Sequence, residues 1–268
     1  MVAFGLSAII FAGVENMSSD QVKSALMIML WAQNIWITVI AVPYYLMIRE
    51  KPEFPPSLVS LAQPKEANFC ENIKVALKLP NYVMLIIVFM LLQGGFLAFG
   101  INISVLLTPT FSQVEVSMIG ANVILVGVIT SMLVGVLLNK YQKYLLMTRL
   151  SAWGTFVLLS LCIYTFYTQD RVLLAVNLVV TAIALIPIIP VGIDFSAELA
   201  FPNEETVVTG FLLMSAQAFG FFLSLLTLDV AAVYPIKGFM LLAGCAGVAA
   251  LITLFIKEDL KRITFSRS

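Results

Sequence analysis

The sequence predicts an all-α membrane protein, and two observations carry that reading. Apolar runs recur along the chain at about 20 residues each, the length a helix needs to cross a hydrocarbon core. They fall at 25–48, 82–107, 118–138, 146–167, 172–193, 207–228 and 236–256. Charge is correspondingly scarce. Asp, Glu, Lys and Arg make up 11% of the chain, against about 25% in soluble domains, and mean hydropathy is +1.02. Lipid cannot satisfy an open backbone N–H or C=O, so runs of this length are expected to be helices. The short alternating segments of a membrane barrel do not occur.

Taken in order, residues 1–14 are apolar but short for a span. They lack the basic stretch and cleavage site of a signal peptide and read as the end of a helix that begins upstream. The run 25–48 is the first complete span. Residues 49–81 form the long hydrophilic connection, with Pro52, Pro55, Pro56 and Pro64 among mixed charges. Its proline-rich part reads as a linker, and 68–79 reads as a short amphipathic helix along the membrane surface. Six spans follow over 82–256, and 257–268 is a polar tail. Domain boundaries are therefore expected at 1–48, 49–81, 82–256 and 257–268.

Basic residues set the expected orientation. Arg49, Lys51, Lys65, Lys74, Lys78, Lys140, Lys143, Arg149, Lys257, Lys261, Arg262 and Arg267 fall on one set of connections, and only Lys23, Arg171 and Lys237 on the other. Positive charge concentrates on the cytoplasmic side, which places the central loop and the tail in the cytoplasm. The lipid bilayer is the first partner implied. Net charge is zero and no basic stripe appears, so nucleic acid is not expected as a partner. The chain has no histidine, which excludes histidine-based zinc sites, triads and haem ligation. Cys70, Cys162 and Cys245 lack metal-ligand spacing; the last two sit inside apolar runs as small packing residues. Nothing pairs a nucleophile with a base, so neither an enzyme nor a cofactor is expected.

Polar and small residues within the spans carry the functional signal. An unpartnered amide in hydrocarbon costs several kcal/mol, about 4–8 on an alkane scale. Gln93 and Gln217 fall near the middle of their runs, whereas Gln33, Asn34, Asn122 and Asn177 offer helix–helix contacts. Two midplane glutamines on separate helices are candidates for one substrate-binding site, with Phe96 and Phe99 beside them. Gly127, Ser131 and Gly135 recur every fourth position, as do Ala243 and Gly247; such small residues read chiefly as helix packing. The stretch 192–210, GIDFSAELAFPNEETVVTG, holds Asp194, Glu198, Glu204 and Glu205 with no basic residue. It is either a solvated turn between helices or part of a gate. As a gate, its carboxylates Asp194, Glu198 and Glu205 would face Lys140, Lys143 and Arg149, with Asn139 in the same connection.

Several motifs resemble a known family. Gly135, Asn139 and Lys140 in GVLLNK look like the cytoplasmic G-x-x-x-D-[RK] signature of major facilitator transporters, with Asn139 where Asp is usual. The proline-rich REKPEFPPS at 49–57 is similar to the start of the central loop in solute carriers related to the feline leukaemia virus subgroup C receptors. LLTPTFSQVE at 106–115, followed by Ile119 and Gly120, resembles the disrupted-in-renal-carcinoma branch of that family. Glu198, Pro202, Glu205 and Gly210 resemble its stretch between helices ten and eleven, with Phe201 for Tyr and Thr206 for Gly.

The resemblance implies a major facilitator fold, present here as the C-terminal six-helix half preceded by one partial and one complete helix, helices 5–12 of 12. It implies alternating-access transport of a small organic solute: pyridoxine, choline or ethanolamine, or haem. Helices 1–4 are then the missing partner. Gln217 matches a glutamine that contacts substrate in the receptor branch, while Ile101 stands where those receptors carry a site tyrosine. The membrane implied is the plasma membrane or the lysosomal and endosomal membranes. The alternative is a receptor or regulatory subunit with a transporter fold that does not transport.

Overall fold

The computed structural model describes residues 19–47 and 69–258. The expectations for 1–14, most of the proline-rich linker and the end of the tail lie outside them. The described residues are helical without strands: α1 (Ser19–Met47), α2 (Phe69–Ala76), α3 (Pro80–Leu107), α4 (Gln113–Tyr141), α5 (Tyr144–Tyr167), α6 (Arg171–Leu185), α7 (Ile188–Leu199), α8 (Glu205–Val233) and α9 (Pro235–Thr253). Seven spans are long and apolar enough to cross a membrane, α6 and α7 counting as one from Arg171 to Leu199.

Local chemistry sets the helix ends. Pro80 and Pro235 stand in the first turns of α3 and α9, where a missing N–H costs nothing. Ser112 starts α4 with a capping box, its hydroxyl accepting from Glu115 N while Glu115 takes the Ser112 N–H. Asp170 caps α6 by accepting from Leu173 N at 3.0 Å. Gln142 ends α4 in the left-handed conformation, φ 53°. The run expected to end at 193 is instead two helices broken at Ile186–Pro187, and the second continues to Leu199. Pro187 cannot donate the next backbone bond, and the chain then re-forms helix because Val191, Phe195 and Leu199 have a core to enter. Asp194 and Glu198, one turn apart, therefore sit on one helix, and the connection to α8 is confined to 200–204.

α3 is the central helix, touching α4, α6, α7, α8 and α9. Its most extensive partner is α8, to which it runs parallel. Tyr82 Oη donates to Val208 O at 2.9 Å near one end, and Asn102 Nδ2 donates to Ser224 O at 2.9 Å near the other. Midway, a Cβ added at Gly94 would stand 3.1 Å from Gly220 N and 3.2 Å from Ala216 O. Small residues allow this approach, and in lipid such contacts replace the hydrophobic effect as the source of helix association. α9 packs on α5 and α3, α5 on α6, and α4 on α6. Asn177 joins α6 to α5 by donating to Leu158 O at 3.2 Å and Cys162 Sγ at 3.1 Å. α2 lies against α8 with Asn72 and Ala76 buried. α1 exposes most of the side chains described along it, Trp31 and Trp36 included.

The small-residue face of α4 divides. Gly127 is buried beneath Ile186 at the α6–α7 break, and a Cβ there would collide with the Ile186 side chain; Gly135 has nothing within 4 Å. Gly127→Ala should therefore destabilise the bundle by about 1–3 kcal/mol through overpacking. Gly135→Ala should stay within about 0.5 kcal/mol of the parent. Thermal unfolding of the detergent-purified chain measures both.

Candidate functional site: midplane amides and a charged helix end

Gln93 precedes Gly94, and Gln217 follows Ala216, whose carbonyl faces Gly94 across the α3–α8 contact. In parallel helices with 3.6 residues per turn, these positions lie on one flank of the pair. Gln217 is exposed on that flank. Gln93 is half-buried, and its Oε1 is buried without a hydrogen-bond partner. The α3–α8 contact thus brings the two glutamine positions to one side.

Phe96 and Phe99 turn to a neighbouring face of α3. There they line a narrow cavity of about 30 Å³ with Val123, Thr155, Leu178 and Thr181, room for a water molecule. Neither glutamine lines it. Thr181 donates to Asn177 O at 2.8 Å, but Thr155 Oγ1 is buried with no partner. Ile101 is exposed. The threonines did not stand out in sequence, because a hydroxyl in an apolar run ordinarily bonds back to its own helix; Thr155 differs in lacking such a bond.

The charged residues lie at one end of the bundle, where α4 turns into α5 and α7 into α8. Asn139 and Lys140 occupy the last turn of α4, with the Lys140 ammonium 5.4 Å from the Tyr141 ring centre. Lys143 holds the N-cap position of α5. Glu205 opens α8, and its carboxylate suits the positive end of the helix dipole. Asp194 is exposed and Glu198 is buried at 4% exposure. A carboxylate buried that far needs a cationic or hydrogen-bonding partner. Tyr144 stacks on Phe195 at 6.0 Å between ring centres and an interplanar angle of 7°. That stack sets the start of α5 against the helix that carries Asp194 and Glu198. Arg149 has a role that sequence reasoning missed: its Nε donates to Thr253 O at 3.1 Å and its Nη2 to Ile256 O at 3.3 Å. It thereby caps the C-terminal carbonyls of α9. The signal was a lone arginine inside an apolar run.

The chain is an integral multi-pass membrane protein, and six packed helices after a separate span is an arrangement consistent with half a major facilitator fold. Comparison with known proteins points the same way. The chain is 27% identical over 234 residues to the choline/ethanolamine transporter FLVCR2 of Rattus norvegicus, covering 84% of this chain and 42% of that protein. It is 25% identical over 271 residues to the Homo sapiens FLVCR2, covering 97% of this chain and 51% of that one. An uncharacterized MFS-type transporter of Caenorhabditis elegans, C09D4.1, is 26% identical over 219 residues, 79% of this chain and 37% of its own length. The chain thus spans about half the length of these relatives or less. No protein-family profile matches it.

Thr155→Val keeps the shape of the side chain and removes a hydroxyl that has no partner. A buried unsatisfied hydroxyl costs about 1–3 kcal/mol, so the variant should equal or exceed the parent in thermal stability. A clear loss of stability would reveal a bond to water in the cavity.

Proposed function

We propose that the chain is the second half, with one preceding span, of a secondary transporter that moves a small polar organic solute by alternating access. Its solute site includes Gln93 and Gln217, with Phe96 and Phe99 on the neighbouring face of α3. The observation that carries this reading is the shared flank of the two glutamines beside the Gly94–Gly220 contact. A midplane amide whose oxygen has no protein partner is suited to a ligand or water, since leaving it unpaired in hydrocarbon is costly. Transporters of this fold bind solute near midplane between two six-helix halves. The relatives' names supply choline and ethanolamine as solutes. The motifs at 106–120 support the disrupted-in-renal-carcinoma branch, and with it pyridoxine; haem completes the set. Ile101 in place of an aromatic residue weakens the case for a quaternary ammonium, which is held by ring faces.

The gate of this transporter is the charged helix end, with Asp194, Glu198 and Glu205 facing Asn139, Lys140 and Lys143 on the cytoplasmic side and Arg149 bracing the end of α9 beside them. An exposed pair at Asp194 contributes only about 0–1 kcal/mol, while the buried Glu198 is costly to leave without its partner; a gate must open and close between states a few kcal/mol apart.

Uptake of radiolabelled pyridoxine, choline, ethanolamine and haem tests the reading, in cells expressing the chain together with any upstream coding sequence of its gene. One solute should accumulate above background. Gln217→Ala and Gln93→Ala should each lower its uptake by about tenfold, the effect of losing one hydrogen bond of ~1.4 kcal/mol. Glu198→Lys should impair uptake while surface expression is retained. Uptake unchanged in all three variants would sink both the site and the gate.

A further inference from the structure

At the end of the bundle opposite the gate, α4 and α6 leave an open groove between them. Its volume is about 430 Å³, its apolar wall includes Met118, Ile119, Val172 and Val176, and its rim carries Glu115 and Arg171. Met118, Val172 and Val176 are exposed. The groove lies at the starts of two membrane-length helices, with exposed Tyr167, Asp170 and Arg171 where α6 begins. Polar aromatic and charged residues gather at membrane–water boundaries.

The two rim charges influence each other electrostatically but do not close into an ion pair. Among the described residues the pair within 4.0 Å is Lys23–Asp20. Glu115 is held by its capping role, Oε2 accepting from Ser112 N at 2.8 Å and from Ser112 Oγ at 3.0 Å. Its Oε1 has no donor among the described residues, and the Arg171 guanidinium has no acceptor among them. A negative and a positive group therefore stand apart above an apolar groove.

We propose that this groove binds a zwitterionic phospholipid, with the phosphate on Arg171, the headgroup amine on Glu115 and an acyl chain along Met118, Ile119, Val172 and Val176. Charge complementarity selects this occupant. A helix packed into the groove would bury an unpaired guanidinium and carboxylate, at several kcal/mol unless it brought both counter-charges. A zwitterionic headgroup brings both and keeps its water. An anionic headgroup would satisfy Arg171 but meet the carboxylates of Glu115 and Asp170.

The test uses the full chain reconstituted into phosphatidylcholine vesicles that contain a phosphatidylcholine with a photoactivatable acyl chain, with labelled peptides mapped by mass spectrometry. Labelling should concentrate on the peptides holding Met118 and Val176. Extra unlabelled phosphatidylcholine or phosphatidylethanolamine should compete severalfold better than phosphatidylglycerol. Val176→Trp, which fills the groove, should cut that labelling at least fivefold, and Arg171→Glu should do the same. Glu115→Gln retains an N3 residue able to complete the capping box; it should abolish the preference for zwitterionic lipid while labelling persists. Helix content by circular dichroism checks that each variant folds. Labelling spread evenly over the outer helices and unmoved by Val176→Trp, equal competition by phosphatidylglycerol in the parent, or a groove left unlabelled because protein covers it would each overturn the proposal.

Discussion

The close approach of α3 and α8 at Gly94 and Gly220 is the contact on which the rest of the bundle depends. α3 reaches α4, α6, α7 and α9 as well, so its position against α8 sets where those helices can lie. In lipid, packing and polar contacts between helices replace the burial of apolar surface as the driving force, and this pair uses both. Two side chains, Tyr82 and Asn102, donate across it to backbone carbonyls, and the glycine pair closes the middle. The same approach fixes the register that brings residues 93 and 217 to one flank.

Polar groups inside the spans separate into two kinds. Asn102 and Asn177 each donate to a neighbouring helix, and Ser151 bridges α5 to Ala184 O at 2.6 Å on α6; these groups fasten the bundle. Gln93 Oε1, Ser131 Oγ and Thr155 Oγ1 are buried without a partner. Most buried polar groups are satisfied, so each exception calls for a reason. For Gln93 that reason is the solute site proposed above, and Thr155 faces a cavity with room for water.

Span positions were legible in the sequence because length and apolarity alone decide them, and the seven observed spans fall on the seven apolar runs. The extension of α7 to Leu199 is hidden from hydropathy, because counting apolar residues stops at Asp194, but the one-turn spacing of Asp194 and Glu198 ahead of Pro202 is that of a continuing helix. The break before Pro187 was hidden for a similar reason: a proline inside an unbroken apolar run leaves hydropathy unchanged. Spacing predicted a small-residue face on α4 but could not say that Gly127 meets Ile186 while Gly135 meets nothing. Gln93, Phe96 and Phe99 read as one group because they are close in sequence on α3, yet helical rotation turns the phenylalanines to a neighbouring face. Arg149 shows the limit of reading charge by location. It lies at the basic end as expected, but its guanidinium is directed to the carbonyls that end α9, a partner that only the fold brings within reach.

The central claim is that positions 93 and 217 share a water-accessible, solute-binding flank at midmembrane. Thiol accessibility tests it most directly, with Gln93→Cys and Gln217→Cys made in a background where Cys70, Cys162 and Cys245 are replaced by alanine. In membranes carrying the chain with any upstream sequence of its gene, a hydrophilic methanethiosulfonate reagent should modify both positions. The transported solute should slow modification at both. Failure of the reagent to reach either position, or modification indifferent to every solute, would contradict the account.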